Sequence, residues 1–390
     1  MIASVLFLAS LALVAYAFAG YPLLAAIRAR IAPRPVRRAP FRPNVAIVIV
    51  AHNAAPVLAR KIESCLAQDY PPERLRVLVA SDGSDDATCA TVMRFPPDRV
   101  QLLAFPHRRG KAACLNDAVA ACAEDYLVLT DARQVLEPSA VERLLANFAD
   151  EDVGAASGEL VFEREGMTDV GAGLDAYWRY EKWLRRCESA IHSTVGVTGA
   201  LYAIRRGCFR PIPAGTILDD VLVPMNVVAQ GRRVVFEDGA IAWDRPSTDL
   251  AQERTRKVRT LAGNFQLLRL RPALLLPWSH PIALQFVSHK TARLAAPFAL
   301  ALAFAANLWL LNEGPFWQAM LGAQVAGYGC AWIGAMWPRT RRFAPVRLAA
   351  TFASLNWYVV LGLVEYLTNP GAHLWKGRPV AAEADEARRA

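Results

Sequence analysis

The sequence has few cysteines and histidines, and their spacing is not that of a metal or disulfide framework. Its seven cysteines include no Cys-x-x-Cys pair, and its six histidines form no matching pattern. This absence argues against a zinc module and against a small disulfide-stabilised fold. We therefore expect the cysteines to be reduced, mostly buried small residues, which places the soluble part of the chain in the cytoplasm.

Charge is missing from the first segment of the chain, residues 2–27. About 20 apolar residues are enough to cross the hydrocarbon core of a membrane. A signal peptide would begin with a cation and carry a shorter apolar core, and neither holds here. The segment predicts a retained transmembrane helix over residues 1–27. The arginines of the proline-rich linker over residues 28–43 then place the following residues on the cytoplasmic side.

Acidic residues are outnumbered by basic ones, 35 to 44, so the formal net charge is +9. The chain is 54% hydrophobic with a mean hydropathy of +0.21, which is too apolar for an ordinary soluble protein, yet 20% of its residues are charged. A basic balance suits nucleic acid, anionic lipid or an anionic substrate. No nucleic-acid module is recognisable, so we expect membrane lipids, and no nucleic acid, among the partners.

Three more apolar segments lie near the end of the sequence, at about residues 294–311, 317–337 and 348–367. The arginine-rich loop between the last two should be cytoplasmic. We predict interfacial helices over residues 272–293, three transmembrane helices over 294–368 and a polar tail over 369–390. The protein is thus expected to be a multi-pass protein of the inner or plasma membrane, with its soluble domain in the cytoplasm.

Strands alternate with helices in the predicted soluble domain, residues 44–271. The alternation predicts βαβ units and hence an α/β, Rossmann-like domain with a mainly parallel sheet. Strands as apolar as these suit a sheet that is covered on both faces. The apolar strand patterns are at 45–51, 76–80, 100–104 and 126–130, and the helical patterns between them are at about 55–67, 84–94 and 110–124.

Charged residues stand directly after these strands. Asp82 follows the second strand and Asp131 the fourth, and ligands of open α/β sheets bind outside the carboxyl ends of the strands. A solvated turn is the alternative for each. Lys111 opens a helix, whose N-terminus favours anions, so a lysine there indicates a bound phosphate, with a basic surface turn as the alternative.

Two later groups also have two explanations. Asp219 and Asp220 precede an apolar helix. One aspartate would suffice as a cap, so the pair indicates a general base whose pKa is raised by the neighbouring charge. Arg256 and Arg259 lie three residues apart on one helical face, which suits either a grip on a diphosphate or a solvated surface.

These motifs, in this order, resemble those of family 2 glycosyltransferases over about residues 44–265. The membrane layout is similar to that of processive members such as cellulose, hyaluronan and poly-N-acetylglucosamine synthases. The motifs are the strand Val45–Asn53, the segment Leu66–Pro71, the turn Ser81–Ser84, the pair Gly110–Lys111, Asp131 and the pair Asp219–Asp220.

The resemblance implies a GT-A fold that uses a nucleotide-activated sugar, commonly a UDP-sugar, with a divalent cation, Mg²⁺ or Mn²⁺. It implies that Asp82 contacts the uracil, that the backbone around Ala51 and Asn53 lines the nucleotide pocket, and that Asp131 is the first aspartate of the Asp-x-Asp metal motif. Asp220 would be the catalytic base. The other implied roles are catalysis beside that base for Asp219, nucleotide binding for Lys111, Arg256 and Arg259, and acceptor binding for Thr198 and Gly199.

The sequence departs from the family pattern at three places. Ser81 replaces the first of two paired aspartates, and Arg256 and Thr260 replace the Gln and Trp of a Gln-x-x-Arg-Trp motif. Arg133 stands where the second metal aspartate is expected. Either Asp131 holds the cation with phosphate and water oxygens completing the shell, or Arg133 supplies part of the charge itself, and we favour the first.

The predicted activity is inverting transfer of a sugar to a hydroxyl of a growing polysaccharide, with export through the membrane helices as an associated function. Transfer of one sugar to a membrane lipid is the alternative among enzymes. A nucleotide-binding subunit of a synthase complex, without catalysis of its own, is the alternative outside them. Both polysaccharide synthesis with export and the role of a non-catalytic subunit allow synthase or export subunits as partners.

Overall fold

The computed structural model describes residues 1–162, 169–245, 250–369 and 371. Its contacts divide the described residues into two units. Residues 1–33, 169–191 and 250–368 form a helical unit, and residues 34–162 and 192–245 form an α/β unit. This division differs from the predicted boundaries, because two helices within residues 44–271 belong with the helical unit.

The helices are α1 Ile2–Ala15, α2 Tyr21–Ile31, α3 Ala55–Leu66, α4 Thr88–Val92, α5 Lys111–Ala121, α6 Ala140–Ala146, α7 Asp169–Ile191, α8 Asp219–Ala229, α9 Leu250–Leu270, α10 Ala283–Phe286, α11 Ala292–Trp309, α12 Pro315–Met336 and α13 Ala344–Thr368. The strands are β1 Val45–Ala51, β2 Leu75–Asp82, β3 Val100–Phe105, β4 Tyr126–Asp131, β5 Val135–Leu136, β6 Val153–Phe162, β7 Tyr202–Arg205 and β8 Arg233–Asp244.

One eight-stranded sheet forms the α/β unit, in the order β3-β2-β1-β4-β7-β6-β8-β5. Strands β3, β2, β1 and β4 are parallel, which confirms the predicted α/β class and the βαβ units. Beyond β4 the sheet changes character, because β7 runs antiparallel to both β4 and β6, and β5 runs antiparallel to β8. The sheet is therefore mixed, and its parallel pairs include both the predicted strands and the pair β6–β8.

Burial explains why β1 lies inside the sheet. Val45, Ile47 and Ile49 are fully buried and pack in one core with Leu58 and Ile62 of α3. Apolar residues on both faces of β1 leave no side suited to water, so helices must cover it. The core thereby fixes the carboxyl ends of the parallel strands at one edge of the sheet.

The helical unit contains three helices long and apolar enough to cross a membrane, Ile2–Ile31, Ala283–Trp309 and Ala344–Thr368. The predicted segment at 317–337 is helical as α12 but is not among these three. Two π-helical turns, Tyr16–Gly20 and Val287–Thr291, interrupt the first two spans. The predicted interfacial segment at 272–293 runs partly into the second span rather than ending before it.

Candidate active site

The predicted site residues lie where parallel strands of the α/β unit end together. Val50 of β1 is in register with Asp131 of β4, and Ala51 is in register with Ser81, one residue before Asp82. Sequence alone therefore placed Asp82 and Asp131 at the same edge of the sheet. Both are the last residues of their strands.

Lys111 joins two of the predicted carboxylates. Its Nζ lies 2.9 Å from Oδ1 of Asp131 and 3.1 Å from Oδ2 of Asp219. Burial alone would lower the pKa of Lys111, but the charges of Asp131 and Asp219 outweigh it and raise the pKa well above its usual value. The cation at the start of α5 thus has a structural explanation within the chain. It also means that Asp219 and Asp220 are not two uncompensated neighbouring charges, as the sequence argument assumed.

Gly199 lies against this cluster and brings Asp220 into it. A Cβ on Gly199 would be 3.5 Å from Oδ2 of Asp131, 3.7 Å from Nζ of Lys111 and 3.8 Å from Cβ of Asp220. The bare Cα therefore leaves a small cradle among these side chains. Backbone bonds fix its surroundings, since the amide of Val197 donates to the carbonyl of Asp220 at 2.8 Å. The amide of Thr198, beside Gly199, donates to Ser157 Oγ at 3.1 Å.

Asp82, the predicted base-contacting residue, is buried and holds the turn before α5. Its two carboxylate oxygens accept from the backbone amides of Arg109 at 2.5 Å and Gly110 at 2.9 Å, and the thiol of Cys114 donates to it at 3.2 Å. Gly83 is required here, because its φ is +59° and a Cβ would lie 2.5 Å from the amide nitrogen of Arg108. Asp82 therefore fixes the turn that precedes α5.

Asn53 closes the end of β1 in a left-handed conformation, with φ at +50°. Its side-chain oxygen accepts from the amide of Asp85 at 3.1 Å, and its own amide donates to Ser84 Oγ at 3.2 Å. Asn is one of the few residues that adopt this conformation readily. Ala51 is buried immediately before this turn. The loop after β1 is thus tied to the loop after β2.

Arg133, the departure from the metal motif, pairs with Asp244 at the end of β8. Nη2 of Arg133 lies 2.5 Å from Oδ2 of Asp244, and Nε2 of Gln134 donates to the same oxygen at 2.9 Å. The amide of Arg245 donates to Oδ1 at 2.9 Å. A carboxylate that is only 2% exposed therefore balances the charge of Arg133.

The residues of this edge fit a cation that takes most of its ligands from phosphate and water. Among the described residues, no group of three or more His, Cys, Asp or Glu could hold a metal by itself. Asp131 offers one carboxylate that faces the cradle at Gly199. Mg²⁺ is commonly held by one or two carboxylates together with substrate phosphates. The donor set fits a metal that arrives with a nucleotide diphosphate.

Arg256 and Arg259 lie on α9, in the helical unit. Lys257, between them, pairs with Glu253 at 3.5 Å and lies over the ring of Tyr358. The role of Arg256 and Arg259 in nucleotide binding stays a prediction.

Three buried polar residues near the site were missed by the sequence reasoning, Lys61, Tyr202 and Asp244. Tyr202 lines a cavity of about 10 Å³ together with Lys111 and Asp219, and its hydroxyl has no hydrogen-bond partner among the described residues. A cavity of this size is at the lower limit for one water. A lysine within the apolar pattern of α3 was the one signal that sequence reasoning could have used.

The chain matches the family model described as glycosyltransferase like family 2 over residues 43–263. An N-acetylglucosaminyltransferase of Rhizobium meliloti (strain 1021) is 24% identical over 353 residues, which are 86% of this chain and 81% of that protein. The succinoglycan biosynthesis protein ExoO of the same strain is 33% identical over 103 residues, 26% of this chain and 29% of that protein. A poly-β-1,6-N-acetyl-D-glucosamine synthase of Staphylococcus aureus (strain COL) is 19% identical over 58% of this chain and 55% of that protein.

Among solved structures, the mannosyltransferase PcManGT from Pyrobaculum calidifontis, in complex with GDP-Man and Mn²⁺, has a TM-score of 0.70 with 25% identity. The match covers 93% of this chain and 99% of that one. The family match by itself spans every strand that carries a carboxylate of the candidate site.

Proposed function

The chain belongs to the family 2 glycosyltransferases, with a GT-A-like fold, and we propose that it transfers a sugar from a nucleoside diphosphate sugar to a hydroxyl of a growing polysaccharide. The observation that carries the proposal is the cluster of Lys111, Asp131, Asp219 and Asp220 around the bare Cα of Gly199. It places a cation, a metal-compatible carboxylate and a second carboxylate around one small space. That combination suits a reaction in which a diphosphate leaves while a hydroxyl attacks.

Asp220 is assigned as the base of an inverting displacement. Its carboxylate accepts the proton of the acceptor hydroxyl as the oxygen attacks the anomeric carbon from the face opposite the diphosphate. The C1–O bond to the diphosphate breaks, and the nucleoside diphosphate leaves with the electron pair. A positioned base of this kind contributes about 10²–10⁴-fold to the rate. Asp220 suits the role because it stands in the first turn of α8 with its carbonyl fixed by Val197.

Lys111 and Asp131 are assigned to the leaving group. The Lys111 ammonium lies at the N-terminus of α5, where a helix itself favours anions, so it can turn from Asp131 toward a phosphate. Asp131 would hold a divalent cation, which offsets charge that develops on the diphosphate when bound. Asp219 then keeps Lys111 in place. Thr198 and Gly199 form the acceptor side of the cradle.

The named relatives favour two different donors. The rhizobial relative is named for N-acetylglucosamine transfer, and the solved structure holds GDP-Man. The polymer-synthase relatives favour a polysaccharide acceptor, and the three apolar helices favour a membrane enzyme. We place the α/β unit on the cytoplasmic side, because the arginines after the first span favour that side.

The test is transfer by the purified full-length protein in nanodiscs, with radiolabelled UDP-GlcNAc and GDP-Man, each with Mn²⁺, with Mg²⁺ and with EDTA. We expect one donor to be consumed, with a product that grows in size and with loss of turnover in EDTA. A product of one sugar on a lipid would replace the polysaccharide assignment. No consumption of either donor, by protein that still binds nucleotide, would favour a non-catalytic subunit.

A further inference from the structure

Lys61 is a fully buried lysine on α3, with 0% of its surface exposed. Its buried neighbours on the same helix, Leu58, Ile62 and Cys65, are the residues expected at such positions. Lysine is almost never fully buried without a partner, because the ammonium loses its hydration. Burial lowers the pKa of Lys61, against smaller opposing effects from Cys65, Asp131 and Asp244. A lysine here costs stability that a methionine of similar length would not.

A directed pair of hydrogen bonds connects Lys61 to the site. Nζ of Lys61 donates to Oγ1 of Thr130 at 2.7 Å, and Thr130 Oγ1 donates to the carbonyl of Ala200 at 2.6 Å. A threonine hydroxyl has one hydrogen and can accept through its lone pairs. Since that hydrogen goes to Ala200, the bond from Lys61 orients the hydroxyl. Thr130 is the only hydrogen-bond acceptor of Lys61 among the described residues.

These bonds lie at the point where the backbone ladder between β4 and β7 stops. The last paired residues are Leu129 and Tyr202. Thr130 and Ala200 lie closer to the site, and the side-chain hydroxyl of Thr130 joins the two strands beyond the ladder. Asp131 follows Thr130 directly, and Gly199 precedes Ala200. The strand end that carries Asp131 and the segment that carries Gly199 are therefore held together by the threonine hydroxyl that Lys61 orients.

We propose that Lys61 is a positioning residue for glycosyl transfer, which acts through Thr130 to hold Asp131 and Gly199 at their working separation. The inference rests on the proposed function of this edge but assigns to the chain a residue outside the reacting cluster. It accounts for the buried lysine, since the same helix position filled with methionine would pack without orienting Thr130.

The test compares Lys61→Met, Thr130→Val and Thr130→Ser with exposed Arg60→Met on the same helix as the control. Groups that orient active-site ligands typically contribute about 10–100-fold. We expect Lys61→Met and Thr130→Val each to lower kcat by about 10–100-fold, with the donor KM close to that of the wild type. The thermal midpoint should not fall in Lys61→Met, whereas Thr130→Val leaves the buried Lys61 without its acceptor and should lower the midpoint. Thr130→Ser keeps the hydroxyl and should retain most of kcat. The double variant Lys61→Met/Thr130→Val should fall no further than Thr130→Val alone.

Hydrogen–deuterium exchange gives a readout that needs no turnover. The peptide over residues 196–204 should exchange faster in Lys61→Met and Thr130→Val, while a peptide over β1 stays unchanged. A wild-type kcat in Lys61→Met, unchanged exchange at 196–204, or a Thr130→Ser as impaired as Thr130→Val would overturn the inference. If the wild type transfers no sugar, the proposed function fails, and the exchange result alone decides whether Lys61 holds this edge.

Discussion

Nη2 of Arg133 lies 2.5 Å from Oδ2 of Asp244, and these two residues are 111 positions apart in the sequence. Arg133 occupies the position at which the family pattern expects a metal-binding aspartate. Its guanidinium is instead paired with a carboxylate that also accepts from Gln134. This pairing favours the view that Asp131 holds the cation without help from the charge of Arg133.

The substitution Arg133→Asp, which restores the aspartate of the family pattern, should therefore destabilise the protein. In Arg133→Asp, a new carboxylate would face Asp244, which is 2% exposed and would keep only neutral donors. Removal of one partner of a buried pair costs about 3–5 kcal/mol, and less here because Arg133 is 36% exposed. We expect a loss of about 2–3 kcal/mol in unfolding free energy, measured by denaturant titration.

The control for this prediction is Arg42→Met, which breaks an exposed pair with Glu142 and should cost less than about 1 kcal/mol. Changing Asp244 to Asn together with Arg133→Asp should recover part of the loss, because the facing charge is removed. An Arg133→Asp protein as stable as the wild type and with tighter Mn²⁺ binding would show that the pair with Asp244 is dispensable.

Replacement of Asp220 by Asn should remove most turnover and leave donor binding intact. Asparagine has the same shape but cannot take the acceptor proton, so we expect kcat to fall by about 10²–10⁴-fold. The measurements are steady-state transfer and donor affinity by titration calorimetry. Asp125→Asn, at a carboxylate that is 86% exposed, is the matched control. Near-native kcat in Asp220→Asn, with loss in Asp219→Asn, would move the base to Asp219.

The substitution Gly199→Ala should lower activity without destabilising the fold. Its Cβ would meet Asp131, Lys111 and Asp220 at 3.5–3.8 Å, which is ordinary contact, so the fold should tolerate it. The methyl group would fill the cradle, and we expect kcat/KM to fall by about 10-fold or more, since small displacements at a reacting centre are costly.

Gly83→Ala provides the contrast. Its Cβ would approach backbone atoms of the loop before α5 at 2.5 Å in a left-handed conformation. We expect about 1–3 kcal/mol of destabilisation from this strain. Thermal denaturation and transfer rates, measured for both Gly199→Ala and Gly83→Ala, would test these two predictions. Equal stability losses at the two glycines would contradict the geometry of the cradle.

The helical unit should lose stability in acid through Glu181 on α7. Burial alone would raise the pKa of its carboxyl, but the charges of Arg293 and His289 outweigh it and hold the pKa far below its usual range. His289 lies 3.1 Å from Oε2 of Glu181, and Arg293 bonds to Oε1. A carboxyl with a depressed folded-state pKa stabilises above its unfolded pKa of about 4.3, and the contribution is lost as pH falls through the folded value.

We therefore expect the thermal midpoint of the wild type to decline below about pH 4, measured in detergent over a range from about pH 3 to 8. Glu181→Gln should lower the midpoint at neutral pH, because Arg293 loses its counter-ion, and should flatten the acid decline. The exposed Glu313→Gln is the control. An acid decline that is identical in wild type and Glu181→Gln would assign it to other groups.

Local patterns were sufficient for the first half of the sheet. Apolar β-rich runs alternate there with helices, and these runs alone predict that the aspartates at the ends of β2 and β4 stand at the ligand-binding edge. The strands β6 and β8 were missed, because Val153–Ser157 is rich in small residues and Gly239 interrupts β8, so neither shows the alternation of a strand.

The sequence by itself determined the class of the fold, three helices long and apolar enough to cross a membrane, and which carboxylates stand at strand ends, since each of these is encoded within about 20 consecutive residues. Only the tertiary structure decided that Lys111 bridges Asp131 and Asp219, that Arg133 is balanced by Asp244, and that Lys61 reaches Thr130. The physical reason is that a short sequence window gives the direction in which a side chain leaves its own strand or helix. Its partner is set by strand order, which joins segments 69 and 111 residues apart.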